Sequence, residues 1–119
     1  MTSTNFSAQV RARSGLAVID LSGEINAFAE GLLNQAYTEA EELGTNAILL
    51  NFSRVGYINS TGIALIVALL ARARKTNRGF VVCGLSEHYR EIFQITRLAD
   101  FMHIYPDEAA ALQAAENVS

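Results

Sequence analysis

Two adjacent hydroxyls, Ser60 and Thr61, stand between Asn59 and Gly62, and this short hinge separates the apolar run Ile48-Leu49-Leu50 from a second run, Ile63 to Leu70. Where a strand hands over to a helix, the first backbone N–H groups of the helix are unpaired and carry a partial positive charge. A hydroxyl at that point has two uses. It can cap the helix, as Ser and Thr commonly do, or it can accept a phosphoryl group, whose roughly two negative charges the free N–H groups and the dipole tolerate. Gly62 has no side chain, so a modifying enzyme could approach the backbone closely there.

The surrounding pattern supplies elements to hold such a hinge. Phe6, Ala8, Val10 and Ala12 alternate with Ser7, Gln9, Arg11 and Arg13, the period of a half-buried strand. Ser14-Gly15 reads as a turn, and Leu16 to Leu21 as a second strand ending at Ser22-Gly23, so the two pair as a hairpin. From Phe28 the spacing becomes helical, with Phe28, Leu32, Leu33, Ala36, Tyr37, Ala40 and Leu43 on one stripe and Gly44 at its end. Ala47 to Phe52 is apolar apart from Asn51, as in a strand covered on both faces. A helix from about Thr61 to Thr76 follows the hinge. Phe80 to Cys83 gives another strand, Ser86 caps a helix whose buried stripe is Tyr89, Ile92 and Phe93, and Phe101 to Tyr105 reads as a last strand. Pro106 suits the first turn of a final helix, with Asp107 and Glu108 beside it.

Strands alternating with helices imply parallel strands joined by right-handed crossovers, and the opening hairpin adds an antiparallel edge. The expected fold is α/β, a single domain over residues 1–119 with a mixed, mostly parallel sheet and about four α-helices. In open sheets the functional crevice lies at the carboxyl ends of the strands, where the hinge falls. The helix after it is apolar all round from Ile63 to Leu70. Either a neighbour hides its outer face, or a docking patch is left beside the hydroxyls.

Bulk properties narrow the choices. Half of the 119 residues are hydrophobic, 18% are charged, and the formal net charge is -3. Nine basic residues against twelve acidic ones give no general attraction for nucleic acid. Arg72, Arg74, Lys75 and Arg78 gather where the second long helix ends, where cations complement the dipole. Cys83 is the single cysteine, and His88 and His103 have no ligand partners at metal-binding spacing, so no metal and no disulfide is expected. No nucleotide loop or nucleophile–base pair is present, so no cofactor and no enzymatic activity is expected either. Met1 to Asn5 lack a basic stretch leading into an apolar one, and no run approaches the roughly 20 apolar residues that span a bilayer. A soluble protein of the cytoplasm, without membrane attachment, is expected.

The segment Ile48-Leu49-Leu50-Asn51-Phe52-Ser53-Arg54-Val55-Gly56-Tyr57-Ile58-Asn59-Ser60-Thr61-Gly62-Ile63 resembles the STAS domain of bacterial anti-sigma factor antagonists. In that family an apolar strand runs into Asp-Ser-Ser/Thr-Gly at the start of an apolar helix. The likeness extends to Leu21-Ser22-Gly23-Glu24-Ile25, to Gly84-Leu85-Ser86, and to Ile92-Phe93 with Thr96-Arg97-Leu98, and so covers nearly the whole chain. It implies that the hydroxyl before the glycine, Thr61 with Ser60 in reserve, is phosphorylated by a serine/threonine protein kinase that is also an anti-sigma factor. A protein phosphatase would reverse the step. Unphosphorylated, the domain would bind that kinase and free a sigma factor. Asn26, Asn59 and Gly62 would surround the phosphosite, and Ile58, Ser60, Ile63, Leu65 and Ile66 would meet the partner. Family members commonly carry Asp where this chain has Asn59 and Asn26, so hydrogen-bonding capacity is kept here while a carboxylate that repels phosphate is absent.

Two other readings belong to different classes. In a scaffolding STAS protein the apolar helix would be buried between subunits, whereas an isolated switch protein would be a monomer or a homodimer. A small-ligand sensor would show saturable binding that Thr61→Glu abolishes.

Overall fold

Ser7–Arg13 (β1) pairs antiparallel with Leu16–Ile25 (β2), Arg13 opposite Leu16, across a turn in which Ser14 and Gly15 both take positive φ, 51° and 81°. The hairpin expected from the alternation is formed. The second strand runs on past Ser22-Gly23 to Ile25, because Gly23, at φ 97°, lets it shift register and continue. The structure, a computed structural model, describes residues 6–116. The expectation drawn from Met1 to Asn5 lies outside them.

A 3₁₀ turn at Ala27–Ala29 leads into Glu30–Glu42 (α1). Leu33, Ala36, Tyr37 and Ala40 form its buried stripe, spaced at three and four residues. Phe28, Leu32 and Leu43, expected on that stripe, are exposed instead. The 3₁₀ turn rotates Phe28 away from the core before α1 begins, and Leu32 and Leu43 flank the stripe.

Ala47–Ile58 (β3) is longer than its apolar run, since Ser53 to Ile58 remain in strand. It is followed by Ser60–Lys75 (α2), Gly79–Cys83 (β4), Glu87–Ile95 (α3), a 3₁₀ turn at Leu98–Phe101, His103–Tyr105 (β5) and Glu108–Glu116 (α4). Phe101 therefore belongs to a turn, not the last strand. Pro106 precedes α4 rather than opening it, and the Asp107 side chain accepts from the Ala110 N–H at 2.9 Å, taking the capping role.

The strands lie in the order β1-β2-β3-β4-β5, and every pair after the hairpin is parallel. Alternate residues of each strand feed two cores. On one face Ile19, Leu21, Ile48, Leu50 and Val82 pack with the buried stripes of α1, α2 and α3. On the other, Leu16, Val18, Leu49, Val81 and Cys83 are covered by Ala111 and Leu112 of α4.

Candidate functional site

Strands β2 and β3 carry the site beyond the end of β4. β3 pairs with β4 only as far as Asn51 opposite Cys83, yet its pairing with β2 continues to Ile25 opposite Ile58. The next residues on this two-stranded ledge are Asn26 and Asn59. Each folds its side chain back onto the turn that it begins. Asn26 Oδ1 accepts from the Phe28 N–H at 2.9 Å, and Asn59 Oδ1 accepts from the Gly62 N–H at 2.8 Å. The Asn59 N–H itself donates to the carbonyl of Ile25 at 3.2 Å, tying the start of α2 to β2.

This geometry removes one of the two uses open to the hydroxyls. Asn59 is the cap of α2, so neither Ser60 nor Thr61 is taken up in that role. Both occupy the first turn of the helix and both are exposed. The site thus presents two hydroxyls at the positive end of a 16-residue helix, where added negative charge is favoured.

Gly62 has a different task from the one expected of it. It is buried, and a Cβ there would drive into the Ile25 carbonyl oxygen and stand 2.9 Å from both the Ile25 carbonyl carbon and Cγ2 of Ile58. The surface that closes on Gly62 is the chain's own. Its missing side chain lets α2 start directly against β2.

Of the residues expected to meet a partner, Ser60 is exposed, Ile63 and Leu65 are half-buried, and Ile58 and Ile66 are in the core at 4% and 0% exposure. Ile58 and Ile66 therefore offer no side-chain surface. Exposed large apolar side chains lie at other positions of these elements: Phe28, 93% exposed, in the 3₁₀ turn after Asn26, Leu32 on α1, Tyr57 on β3 and Val67 on α2. Helical spacing alone assigns Phe28 and Leu32 to the core. The only sequence signal against that was Asn26, a cap placed two residues before Phe28.

Cations at the far end of α2 are engaged structurally. Arg72 pairs with Glu41 at 2.6 Å and stacks over Tyr37, Arg74 lies over Phe101, and Arg78 donates to the Glu41 carbonyl. His88 and His103 are exposed, and no group of three or more His, Cys, Asp or Glu gathers among the described residues. Cys83 is fully buried, and burial raises its thiol to about 12. No helix among the described residues is long and apolar enough to cross a membrane.

A polar cluster on the α4 face escaped the sequence. Arg11 holds Asp20 through Nε and Nη2 at 2.6 and 3.1 Å, and Glu108 through Nη2 and Nη1 at 2.6 and 3.0 Å. The Arg11 guanidinium holds both carboxyls below their ordinary values, with Asn51 also donating to Asp20. Arg13 adds a second pair to Glu108. Partners so far apart in the chain cannot be read from local pattern.

A parallel sheet entered by an antiparallel hairpin, with a capped helix and two free hydroxyls at its carboxyl edge, defines the class of domain. The chain belongs to the STAS domain family, whose model matches residues 7–111. Among curated proteins it is similar to the anti-sigma-B factor antagonist of Staphylococcus aureus, 26% identical over 100 residues, 84% of this chain and 93% of that protein. Among solved structures it is similar to an anti-sigma factor antagonist from Mycobacterium paratuberculosis, with 25% identity, a TM-score of 0.82, and 95% and 96% of the two chains covered. The Bacillus cell fate determinant SpoIIAA in its phosphorylated form shares the fold at 22% identity and a TM-score of 0.68, over 91% of this chain and 99% of that one.

Proposed function

We propose that this protein is an anti-sigma factor antagonist of a partner-switching pathway, with Thr61 as its phosphoacceptor and Ser60 in reserve. The observation that carries this reading is the cap: Asn59 satisfies the Gly62 N–H, so the two hydroxyls are left exposed for chemistry at the helix N-terminus. The names of the Staphylococcus aureus and Mycobacterium relatives support the antagonist role. The phosphorylated form of SpoIIAA is in keeping with a fold that accepts the modification.

In the unphosphorylated state a serine/threonine protein kinase that doubles as an anti-sigma factor covers the hinge together with exposed apolar side chains of the adjoining elements, Phe28, Leu32 and Val67. Phosphorylation of Thr61 adds a group bearing about two negative charges. That dianion would have to be desolvated against apolar side chains, so the complex dissociates. A cytoplasmic phosphatase then restores the binding form. In this reading the protein supplies the acceptor hydroxyl and the kinase supplies the bound ATP.

The test is to incubate the purified protein with ATP and the protein kinase encoded in the same genome, and to map phosphate by mass spectrometry. Phosphate on Thr61 is expected, with its loss in Thr61→Ala and weakened kinase binding by Thr61→Glu. Absence of modification at both Thr61 and Ser60 sinks the reading.

A further inference from the structure

Beyond Asn51 the flank of β3 that faced β4 has no strand beside it among the described residues. Within a strand, successive residues send their N–H and C=O groups to opposite sides. The Asn59 N–H goes to Ile25 on the β2 side, so the groups of Ile58 face the vacated flank. Ile58 is buried there, and buried backbone groups require partners. The hydroxyl of Tyr89, on α3, provides both: it accepts from the Ile58 N–H at 2.8 Å and donates to the Ile58 carbonyl at 3.2 Å. One phenol stands in for a missing strand neighbour.

Tyr89 is itself held in place. It is 7% exposed, its N–H donates to Oγ of the capping residue Ser86 at 3.2 Å, and the ring of His88 meets it edge-on at 4.9 Å between centroids. Ile58 in turn touches the start of α2, since its Cγ2 is one of the atoms nearest to the missing Cβ of Gly62. Tyr89, Ile58, Gly62 and Thr61 are therefore linked by direct contacts or neighbouring positions in the first turn of the helix.

We propose that Tyr89 is a positioning residue for the phosphoacceptor: its hydroxyl clamps the backbone at Ile58 and so fixes where α2 begins and how Thr61 is presented to a kinase. This rests on the phosphorylation of Thr61 proposed above. A tyrosine that served packing alone would be replaced by phenylalanine without effect on the hinge.

The experiment compares Tyr89→Phe with the wild type and with Tyr37→Phe, whose hydroxyl is also buried but meets no partner among the described residues. Amide exchange is read at Asn59, Gly62 and Ile63, with Leu49 and Val82 reporting global opening. In Tyr89→Phe the three hinge amides should exchange about tenfold faster after correction for the core amides, and in Tyr37→Phe they should not change. With the kinase that modifies the wild type, kcat for Thr61 should fall about tenfold while KM stays within about twofold, since misplacement acts on the chemical step. Unchanged hinge exchange, or an unchanged kcat, overturns the proposal. Where Tyr89→Phe does not fold, a 4-aminophenylalanine at that position, which still donates to the Ile58 carbonyl but is a poor acceptor for the Ile58 N–H, must speed exchange at the hinge amides in the same direction. A wild type that takes no phosphate sinks the Thr61 reading, and hinge exchange alone then decides whether the clamp exists.

Discussion

The α-carbon of Gly62 lies against the carbonyl of Ile25, with no room between them for a methyl group. Any side chain at this position must push α2 away from the end of β2, and the nearest obstacle is backbone, which cannot swing aside. Gly62→Ala should therefore destabilise the fold by about 2 kcal/mol, in spite of alanine's better helix propensity. Thermal unfolding checks this, and an unchanged or raised Tm would contradict the contact.

The cap gives a second prediction. Asn59→Ala leaves the Gly62 N–H without its acceptor and should cost about 1 kcal/mol. Asn59→Asp keeps the acceptor and adds a charge beside the positive end of α2, so it should gain about 0.5 kcal/mol at low salt and lose that gain at high salt. The same carboxylate would repel an incoming phosphoryl group, so phosphorylation of Thr61 in Asn59→Asp should be slower than in the wild type. Denaturant titrations at two ionic strengths, with a phosphorylation time course, separate the effects.

Phe28, at 93% exposure, contributes little to the core. Phe28→Ala should leave Tm within the error expected of a surface substitution, yet weaken kinase binding at least tenfold if the ring is an anchor for the partner. Calorimetric titration measures the second quantity. A fall in Tm without loss of binding would return Phe28 to a structural role.

The two buried tyrosines should differ in stability as well. Tyr89→Phe strands the N–H and carbonyl of Ile58, a loss of about 1–3 kcal/mol, whereas Tyr37→Phe removes a hydroxyl that has no partner among the described residues and should be neutral or slightly stabilising.

A pH-dependent prediction concerns α4. Asp20 and Glu108 are held below their ordinary values of 3.8 and 4.5 by Arg11. Depressed carboxyls stabilise the fold above those ordinary values, and the contribution is lost as pH falls through the lower folded values. Accordingly α4 should loosen below about pH 4, exposing Cys83 beneath it to a pyridyl disulfide, a reagent that reacts with thiols in acid. At neutral pH, Glu108→Gln removes partly exposed pairs worth about 1 kcal/mol in total, so Cys83 labelling should rise about fivefold. Labelling at the wild-type rate would show that apolar contacts alone hold the helix.

Much of this was written locally. The alternation of β1, the turn at Ser14-Gly15 and the apolar core of β3 identified the mixed sheet, and the apolar run after Gly62 identified α2. The errors have a common cause. The run of apolar residues in β3 stops at Phe52, but the strand continues because β2 pairs with it and Tyr89 completes it, 31 residues away. Phe28 has helical spacing to Leu32, yet the cap at Asn26 starts a tighter turn that rotates the ring outward. Ser60 and Thr61 are both residues that cap helices, and so is Asn59. The choice among them depends on where the helix begins, which is set by the Ile25–Ile58 register rather than by capping preference.

The sheet is laid down in the order of the chain, each strand beside the one made before it. Asn26, Asn59, Gly62 and Tyr89 all precede β5 and α4, so the contacts that hold the hinge draw on neither of those elements. The helix that seals the opposite face, α4, comes after all of them in the chain. The two faces of the sheet thus rest on separate stretches of the chain, so loss of α4 should uncover Cys83 while the Asn59 cap and the Tyr89 contacts with Ile58 stay formed.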